Sequence, residues 1–312
     1  MTEVELKQGM DASQEVLFSL CPRKYFYVYE QGLKDEMGLA ALFSKHLIHA
    51  ALAIQYASLN LLLSPYPDLD KLWENYIAEA GEGARMDSFY TLDLAQRALD
   101  KYAFDGYLVR DREEFDVVEV EAVKSRRLND ELSWISKPDV VLSHKEIGTI
   151  YPLDFKTSKY APKGLSIKRV PDYTRDILFD RQFLGQVWIT RGEGHITRHF
   201  KLGVNDITIS EQRLDSIPEV LLKEWEEERK EVLTLKEKYR TIGVWPKNAP
   251  QACYNFGYVC PFLRLCNVGI EASAAIAEWI EKCDPYAYLK EAVKSSDGQS
   301  EGSGKGMTPN VT

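Results

Sequence analysis

The chain lacks a long uninterrupted apolar run, and this absence excludes a membrane-spanning helix. Its most apolar stretch, residues 39–63, is interrupted by Lys45, His46, His49 and Asn60. It therefore falls short of the ~18 consecutive apolar residues that a membrane span needs. The N-terminal residues also lack the apolar core of a secretory signal peptide. Both observations predict a soluble protein that resides in the cytoplasm and has no membrane partner.

Positive charge is also scarce. The 312 residues include 39 Lys and Arg against 48 Asp and Glu, which gives a formal net charge of −9. This balance excludes a uniformly basic protein that coats nucleic acid. Net charge does not describe how charges are distributed, so a local basic patch is still compatible with the composition.

Cysteine is infrequent, with five residues in the chain. An odd number of cysteines in a large chain without a signal peptide argues against a disulfide framework. Three of them, Cys253, Cys260 and Cys266, lie close together in the sequence. This grouping favours ligation of a metal ion or a metal cluster, whereas Cys283 lies apart on a predicted helix.

The spacing of apolar residues predicts an α/β core with helical additions. Three- and four-residue spacings predict helices over residues 13–63 and 70–104. From about residue 115, short alternating runs bounded by polar turns predict strands. A helix near 176–190, strands near 195–203 and 206–210 and a long charged helix over 211–240 complete the pattern.

The length is about twice the ~150 residues of a typical domain, so we expect one large or two closely associated domains. The Gly- and Ser-rich C-terminal residues have almost no apolar side chains, which predicts disorder there. The predicted regions are a helical N-terminal region (1–110), an α/β core (111–210), a long helix with the cysteine-rich segment packed on the core (211–293) and a disordered tail (294–312).

Two carboxylates and a lysine give the strongest indication of chemistry. Asp139 follows Pro138 at the start of one predicted strand, and Asp154 precedes Lys156 by two positions on the next. Side chains alternate along a strand, so Asp154 and Lys156 project from the same face. Paired carboxylates bind a hard divalent cation, and an adjacent ammonium can stabilise a phosphorane-like transition state. The pattern fits a metal-dependent phosphodiesterase, although Pro-Asp is also a common turn pair.

Pro138-Asp139 and Asp154-Phe-Lys156 resemble the motif of the PD-(D/E)XK nuclease superfamily, specifically of its RecB-like exonuclease branch. Three further segments are similar to that branch, namely those that contain Cys21, His49 and Gln182. The chain departs from the branch at Gln186, where a tyrosine is usual, and near Lys45, where a glycine is expected. Within this branch, the chain is similar to nucleases of CRISPR adaptation and to nucleases that phages encode.

The resemblance implies a restriction-endonuclease-like core, in which helices flank a mixed central sheet. It also implies a Mg²⁺ or Mn²⁺ ion, together with catalytic side chains around that ion. The implied metal ligands are His49, Asp139, Asp154 and the backbone carbonyl of Phe155, and the implied catalytic residues are Asp139, Asp154, Lys156 and Gln182.

Two other side chains compete for roles at this site. His46 lies three residues before His49 on nearly the same helix face, so the two histidines could exchange roles. Glu121 either contacts the metal or a metal-bound water, or has a structural or solvated role, and the sequence does not separate these alternatives.

For the cysteines, the resemblance implies that Cys21 joins Cys253, Cys260 and Cys266 around a 4Fe–4S cluster. Four thiolates suit such a cluster, and they suit tetrahedral zinc as well. A third interpretation is that the cysteines are free and buried, because a buried thiol behaves as a small apolar group.

Basic residues are concentrated immediately after the lysine of the motif. Between Lys156 and Arg175, Asp172 is the only acidic residue. This segment therefore carries positive charge, although the chain as a whole is acidic. Such residues bind phosphates without reading base sequence, and Tyr160 and Tyr173 could stack on unpaired bases. The predicted DNA-binding residues are Lys159, Lys163, Lys168, Arg169 and Arg175.

With the resemblance, these features predict a metal-dependent DNA exonuclease that acts on single strands or duplex ends. Its expected setting is DNA recombination, repair or phage DNA processing, with a helicase or recombination protein as a partner. One alternative is a nucleic-acid-binding assembly factor that keeps the fold but does not cut DNA. Another is an interaction protein stabilised by zinc, in which the carboxylates have no chemical role.

Overall fold

The computed structural model describes residues 9–35, 37–59, 66–159, 180–248, 253–255, 258–268, 280–287 and 289–290. The predicted tail (294–312) lies outside these residues, as does most of the basic segment. The chain divides into two compact units. We call residues 36–124 and 138–229 the sheet unit, and residues 1–35, 125–137 and 230–312 the cysteine unit.

A mixed five-stranded sheet forms the centre of the sheet unit, with strands in the order β2-β5-β6-β7-β8. All neighbouring pairs are antiparallel except β6 and β7, which are parallel. A parallel pair needs a long crossover, and the helix α8 lies in it. The strands are β2 (Phe115–Val120), β5 (Val140–His144), β6 (Ile150–Lys159), β7 (His195–Leu202) and β8 (Ile207–Leu214), and α8 is Arg181–Thr190.

The helices of the sheet unit precede and follow its strands. The first of them, α3, continues through a π-helical stretch, Ser44–His49, into α4. Those before the sheet are α3 (Leu39–Phe43), α4 (Ala50–Ala57), α5 (Leu69–Ala80), the 3₁₀ helix Glu82–Met86, α6 (Leu92–Phe104) and α7 (Tyr107–Glu114). The long helix α9 (Glu219–Ile242) follows the sheet, and residues 219–229 of it belong to the sheet unit whereas residues 230–242 belong to the cysteine unit.

The side chains of strand β6 alternate between an apolar face of the sheet and a polar face. Leu153 and Phe155 are fully buried in the main apolar core, which also contains side chains from the helices before the sheet. The Phe155 ring lies 5.8 Å from that of Tyr56 and 6.0 Å from that of Tyr102, measured between centroids. Because side chains alternate along a strand, the residues between these core positions face the opposite side.

The same core contains a buried ion pair. The guanidinium of Arg198 on β7 is fully buried and binds both carboxylate oxygens of Asp111, at 2.5 and 2.6 Å. It also donates to Glu211 at 2.7 Å and to the hydroxyls of Tyr56 and Tyr102. These hydrogen bonds compensate for the cost of removing both charges from water.

The cysteine unit contains a small sheet in the order β1-β4-β3, built from Gly9–Met10, Ser133–Ser136 and Lys124–Arg127. Two short strands, β9 (Tyr254–Asn255) and β10 (Tyr258–Val259), pair separately. The helices that begin this unit are α1 (Ala12–Leu20) and α2 (Pro22–Tyr25), and α2 continues into the π-helical stretch Phe26–Glu30.

Aromatic side chains form much of the interior of the cysteine unit. Tyr25 is fully buried, and its ring lies 5.5 Å from that of Phe18 and 5.8 Å from that of Trp245. Arg23 donates from Nε to the carbonyl of Trp245 at 2.7 Å. These contacts join the N-terminal helices to a segment more than 200 residues later.

The α/β class predicted from the sequence is confirmed, whereas one element boundary was wrong. Residues 211–214 belong to strand β8, and the long helix begins at Glu219, directly after Pro218. Glu211 and Arg213 suggested a charged helix, but they pair across the sheet unit with Arg198 and Glu114. Within the described residues, no helix is both long and apolar enough to cross a membrane.

Candidate active site

Asp154 and Lys156 lie on the polar side of β6, opposite the core. The Asp154 side chain is 4% exposed and that of Lys156 is 36% exposed. The ammonium of Lys156 lies 2.8 Å from Oδ2 of Asp154. The lysine therefore extends from a buried carboxylate toward solvent, where a substrate phosphate can reach it.

Asp139 lies immediately before β5 and reaches the edge of β6. The register pairs Val140 with Leu153, so Asp139 is adjacent to the backbone beyond the last paired residue of β6. The amide of Phe155 donates to Oδ2 of Asp139 at 2.6 Å. The N–H and C=O of one strand residue project to the same edge. The Phe155 carbonyl therefore faces the side on which Asp139 lies.

His49 is the last residue of the π-helical stretch between α3 and α4, and its side chain faces Asp139 at the edge of β6. Its Nδ1 lies 3.2 Å from Oδ1 of Asp139, and its ring packs edge-on against Phe155 at 6.1 Å. His46 lies elsewhere, with Nε2 2.6 Å from the carboxylate of Glu79. The wider π-helical turn gives the two histidines different partners, although an α-helical spacing predicts that they share a face. Such π-helical turns often occur at functional sites.

Glu121 completes a group of three potential metal ligands. Ligand atoms of His49, Glu121 and Asp139 lie within 4.8 Å of one another. The backbone of Glu121 has φ of 52°, a left-handed conformation that costs energy in a non-glycine residue, and its amide donates to the Asp139 carbonyl at 2.9 Å. The sequence left the role of Glu121 open, and its local strand pattern contained no sign of this conformation. Asp154 lies outside this group of three.

The charges of the site depend on one another. Burial raises the pKa of Asp139, but His49 and the Phe155 amide outweigh it and hold that pKa below its ordinary value. Burial opposes protonation of His49, yet the Asp139 carboxylate raises the net pKa of the imidazole. For Asp154, burial and the nearby Asp139 charge raise the pKa, although Lys156 opposes them. Burial lowers the pKa of Lys156, but the carboxylates raise it overall. Two interacting buried carboxylates favour the binding of an additional cation.

Two glutamines of α8 bind the second carboxylate. Helix α8 begins after Asp180, whose side chain accepts hydrogen bonds from the amides of Gln182 and Phe183. Gln182 accepts from the Lys156 ammonium at 2.7 Å and donates to Oδ1 of Asp154 at 2.7 Å. Gln186 donates to the same Oδ1 at 3.0 Å. The sequence treated Gln186 as a departure from a motif, but its four-residue spacing from Gln182 indicated a shared helix face.

The predicted DNA-binding residues fall mostly outside the described part of the chain. Lys159 ends β6, and its ammonium lies 4.0 Å from the centroid of the Phe89 ring. Residues 160–179 are not described, and they include the other predicted DNA-binding residues and both candidate stacking tyrosines.

The four cysteines of the predicted cluster lie in the cysteine unit. Cys21 and Cys266 are buried, and Cys253 and Cys260 are partly buried. The amide of Cys260 donates to the carbonyl of Cys253 at 2.9 Å. Cys283 is exposed.

The pKa values of two of these thiols, Cys260 and Cys266, are raised above the ordinary value. Burial raises the pKa of Cys260, with smaller contributions from Cys266 and Cys253. Burial also raises the pKa of Cys266, with a contribution from Cys21. The cations Lys24, Arg23 and Lys247 act in the opposite direction. Among the described residues, the four cysteines do not form a group in which three ligand atoms lie within 4.8 Å of one another.

Two solved structures are similar to this chain at low sequence identity. Among solved structures, the protein SSO0001 is 14% identical, with 81% of this chain and 86% of that chain covered and a TM-score of 0.34. An alkaline exonuclease from Laribacter hongkongensis is 14% identical, with 64% of this chain and 97% of that chain covered and a TM-score of 0.31. A search of curated proteins found no match.

A comparison with protein families does find a match. The model of the PD-(D/E)XK nuclease superfamily matches residues 12–267, which is most of the chain. This range includes the two carboxylates, the lysine and both glutamines described above. The chain belongs to the PD-(D/E)XK nuclease superfamily.

Proposed function

We propose that this nuclease is a Mg²⁺- or Mn²⁺-dependent DNA exonuclease of the RecB-like branch. The observation that carries the proposal is the position of Lys156. Its half-exposed ammonium is bound by the buried Asp154 carboxylate and by Gln182, next to the Asp139 and His49 pair. This combination suits a nuclease, because a cation site and a positive side chain that stabilises developing negative charge lie next to each other.

The donor set fits a hard divalent cation. His49 offers an imidazole nitrogen, Asp139 and Asp154 offer carboxylate oxygens, and Phe155 offers its carbonyl. Glu121 is a further candidate because its carboxylate belongs to the group of three. Oδ2 of Asp154 is buried, and among the described residues no donor other than Lys156 approaches it. This oxygen is thus suitable for a cation.

A divalent cation bound there would lower the pKa of an attacking water and polarise the scissile phosphate. The residues of the chain orient the other groups. Lys156 positions the water and stabilises the negative charge that develops on the phosphate. Gln182 keeps the Lys156 ammonium in place, since its amide oxygen accepts from that group. The basic residues Lys159, Lys163, Lys168, Arg169 and Arg175 bind the DNA backbone.

We assign the enzyme to DNA recombination, repair or phage DNA processing, with a helicase or recombination protein as its partner. Exonucleases of this kind act on single strands or on ends that another protein unwinds. The substrate class follows from the superfamily, whereas the exonuclease mode and the partner rest on the resemblance of the motifs.

The proposal is tested by cleavage of end-labelled linear DNA, compared with a circular DNA of the same sequence. We expect Mg²⁺ or Mn²⁺ to support release of short products from the linear substrate, and EDTA to prevent it. The circle should remain intact, because an exonuclease needs an end. Cutting of the circle would replace the exonuclease assignment with an endonuclease. Binding without any cutting would identify a factor that keeps the fold and has lost the activity.

We also propose that Cys21, Cys253, Cys260 and Cys266 ligate a 4Fe–4S cluster. The grouping of three of them in the sequence and the resemblance of the Cys21 segment to the iron–sulfur members of the branch support it, because thiolates are the ligands of such clusters. Zinc is the alternative, since four thiolates also form a tetrahedral zinc site. In either case the ligands come from both ends of the sequence and close a long loop, which restricts the unfolded chain.

Replacement of Cys21 by serine should remove the cluster as completely as replacement of Cys260. The anaerobically purified wild type should absorb broadly near ~400 nm through thiolate-to-iron charge transfer. Both variants should lose this absorbance and melt at lower temperature, because the long-range link is broken. The matched control is Cys283→Ser, which should keep the colour since Cys283 is exposed. If the wild-type protein is colourless and contains one zinc ion per chain, the four cysteines bind zinc and not an iron–sulfur cluster.

A further inference from the structure

A chain of hydrogen bonds extends from Asp154 into the sheet through side chains outside the nuclease motif. Oδ1 of Asp154 accepts from Gln186 at 3.0 Å, and Oε1 of Gln186 lies 2.8 Å from Nε2 of His195. Nδ1 of His195 lies 3.3 Å from Oγ1 of Thr197. His195 is fully buried and Gln186 is 1% exposed. The backbone register of β6 and β7 places Thr197 opposite Asp154.

The orientation of Gln182 is determined by Lys156. An ammonium group only donates hydrogen bonds, so the group that faces it at 2.7 Å must be the amide oxygen. The amide nitrogen of Gln182 consequently faces Oδ1 of Asp154. The site itself therefore orients the first glutamine.

Gln186 lies between Asp154, whose carboxylate only accepts hydrogen bonds, and His195, so both neighbours determine its orientation. An amide that faced Asp154 with its oxygen would place two acceptors against each other. The carboxylate itself opposes this, and the imidazole reinforces the orientation when Nε2 carries a proton and donates to Oε1 of Gln186. The other ring nitrogen then accepts from the hydroxyl of Thr197, so all three side chains are satisfied.

We propose that His195 is a positioning residue for the metal centre, which acts by orienting the Gln186 amide toward Oδ1 of Asp154. Gln182 and Gln186 then both donate to Oδ1, so that neither amide covers Oδ2 of Asp154, the oxygen that faces the Lys156 ammonium and would face the divalent cation. The inference rests on the proposed role of Asp154 as a metal ligand. It also explains why a glutamine can occupy position 186 in this chain.

The environment of His195 supports a neutral ring with one proton. Burial, with a contribution from the Lys156 charge, lowers the pKa of His195 to about 3. The ring packs against Phe183 at 4.4 Å between centroids. A neutral imidazole donates from one nitrogen and accepts at the other, which matches its two partners.

The test compares His195→Phe with His195→Gln. Phenylalanine keeps an aromatic ring against Phe183 but cannot donate, whereas the glutamine amide can still donate to Gln186. We expect His195→Phe to weaken Mn²⁺ binding by about 10- to 100-fold, the usual effect of removing a partner of a metal ligand. Binding is measured by calorimetry without DNA. His195→Gln should restore most of the affinity, and His144→Phe on β5 should bind Mn²⁺ as the wild type does.

A double variant separates positioning from stability. His195→Phe leaves the buried Gln186 oxygen without a donor and should lower the melting temperature. His195→Phe with Gln186→Met removes both polar groups of this contact, so no buried amide oxygen is left without a donor, while Oδ1 of Asp154 keeps its bond from Gln182. We therefore expect the double variant to recover the melting temperature but not the Mn²⁺ affinity. The proposal is overturned if the double variant recovers both the melting temperature and the Mn²⁺ affinity. It is also overturned if folded His195→Phe binds Mn²⁺ with wild-type affinity.

Asp154→Asn distinguishes the two ways in which this inference can fail. If Asp154→Asn binds Mn²⁺ and cleaves DNA as the wild type does, the proposed metal site itself is wrong. If Asp154→Asn loses both while His195→Phe loses neither, the metal site stands and only the role of His195 is rejected.

Discussion

Replacement of Asp154 by asparagine should reduce DNA cleavage by at least about 10³-fold, because the metal ligand and the partner of Lys156 are lost together. Each tenfold in rate corresponds to about 1.4 kcal/mol of transition-state stabilisation, and a metal ion supplies several times that amount. Folding should be affected little. The pKa of the buried Asp154 carboxyl is raised, so its charge opposes folding and the neutral amide removes that cost. The half-exposed Lys156 can remain charged in contact with water.

The measurement is single-turnover cleavage of labelled DNA with saturating Mg²⁺ or Mn²⁺, together with urea unfolding of the same protein. Lys156→Ala should be similarly inactive but should still bind Mn²⁺, since the ammonium is not a ligand. The control is Asp93→Asn, which changes a carboxylate that is 76% exposed on α6. Cleavage by Asp154→Asn at the wild-type rate would show that the reaction occurs elsewhere.

Replacement of Arg198 by methionine should lower the free energy of unfolding by about 3–5 kcal/mol, which is the usual cost of removing one partner of a buried ion pair. Asp111 is fully buried and would lose the two hydrogen bonds that it accepts from the guanidinium. The hydroxyls of Tyr56 and Tyr102 would lose the same donor. Their rings pack against Phe155, so the loss should also loosen the apolar side of β6.

Urea denaturation followed by circular dichroism measures this effect. Arg198→Met combined with Asp111→Leu should be more stable than Arg198→Met alone, because the second change removes the unpaired charge. The control Arg97→Met breaks an exposed pair with Asp93 and should change stability by less than about 1 kcal/mol. A loss that small for Arg198→Met would mean that the buried carboxylate is satisfied without the guanidinium.

Much of the fold and part of the candidate site could be predicted from local patterns. The alternation in Leu153-Asp-Phe-Lys156 predicts which side chains share a face of the strand, and the structure places Asp154 and Lys156 together for that reason. Local periodicity failed over residues 211–214, where charges that pair across the sheet resemble those of an exposed helix. Periodicity reports only whether neighbours alternate or repeat, and a charged strand edge can resemble a helix surface.

The sequence by itself determined the nuclease superfamily, the α/β class and the direction of the side chains on β6, because each depends on residues that are near one another along the chain. Only the tertiary structure decided which partners these side chains meet. His195 reaches Gln186 because β7 lies parallel to β6, and Arg198 meets Asp111 because the same strand faces the core. Glu121 approaches His49 through a left-handed backbone conformation. These contacts depend on strand register and backbone geometry, and neither is encoded in the spacing of a single segment.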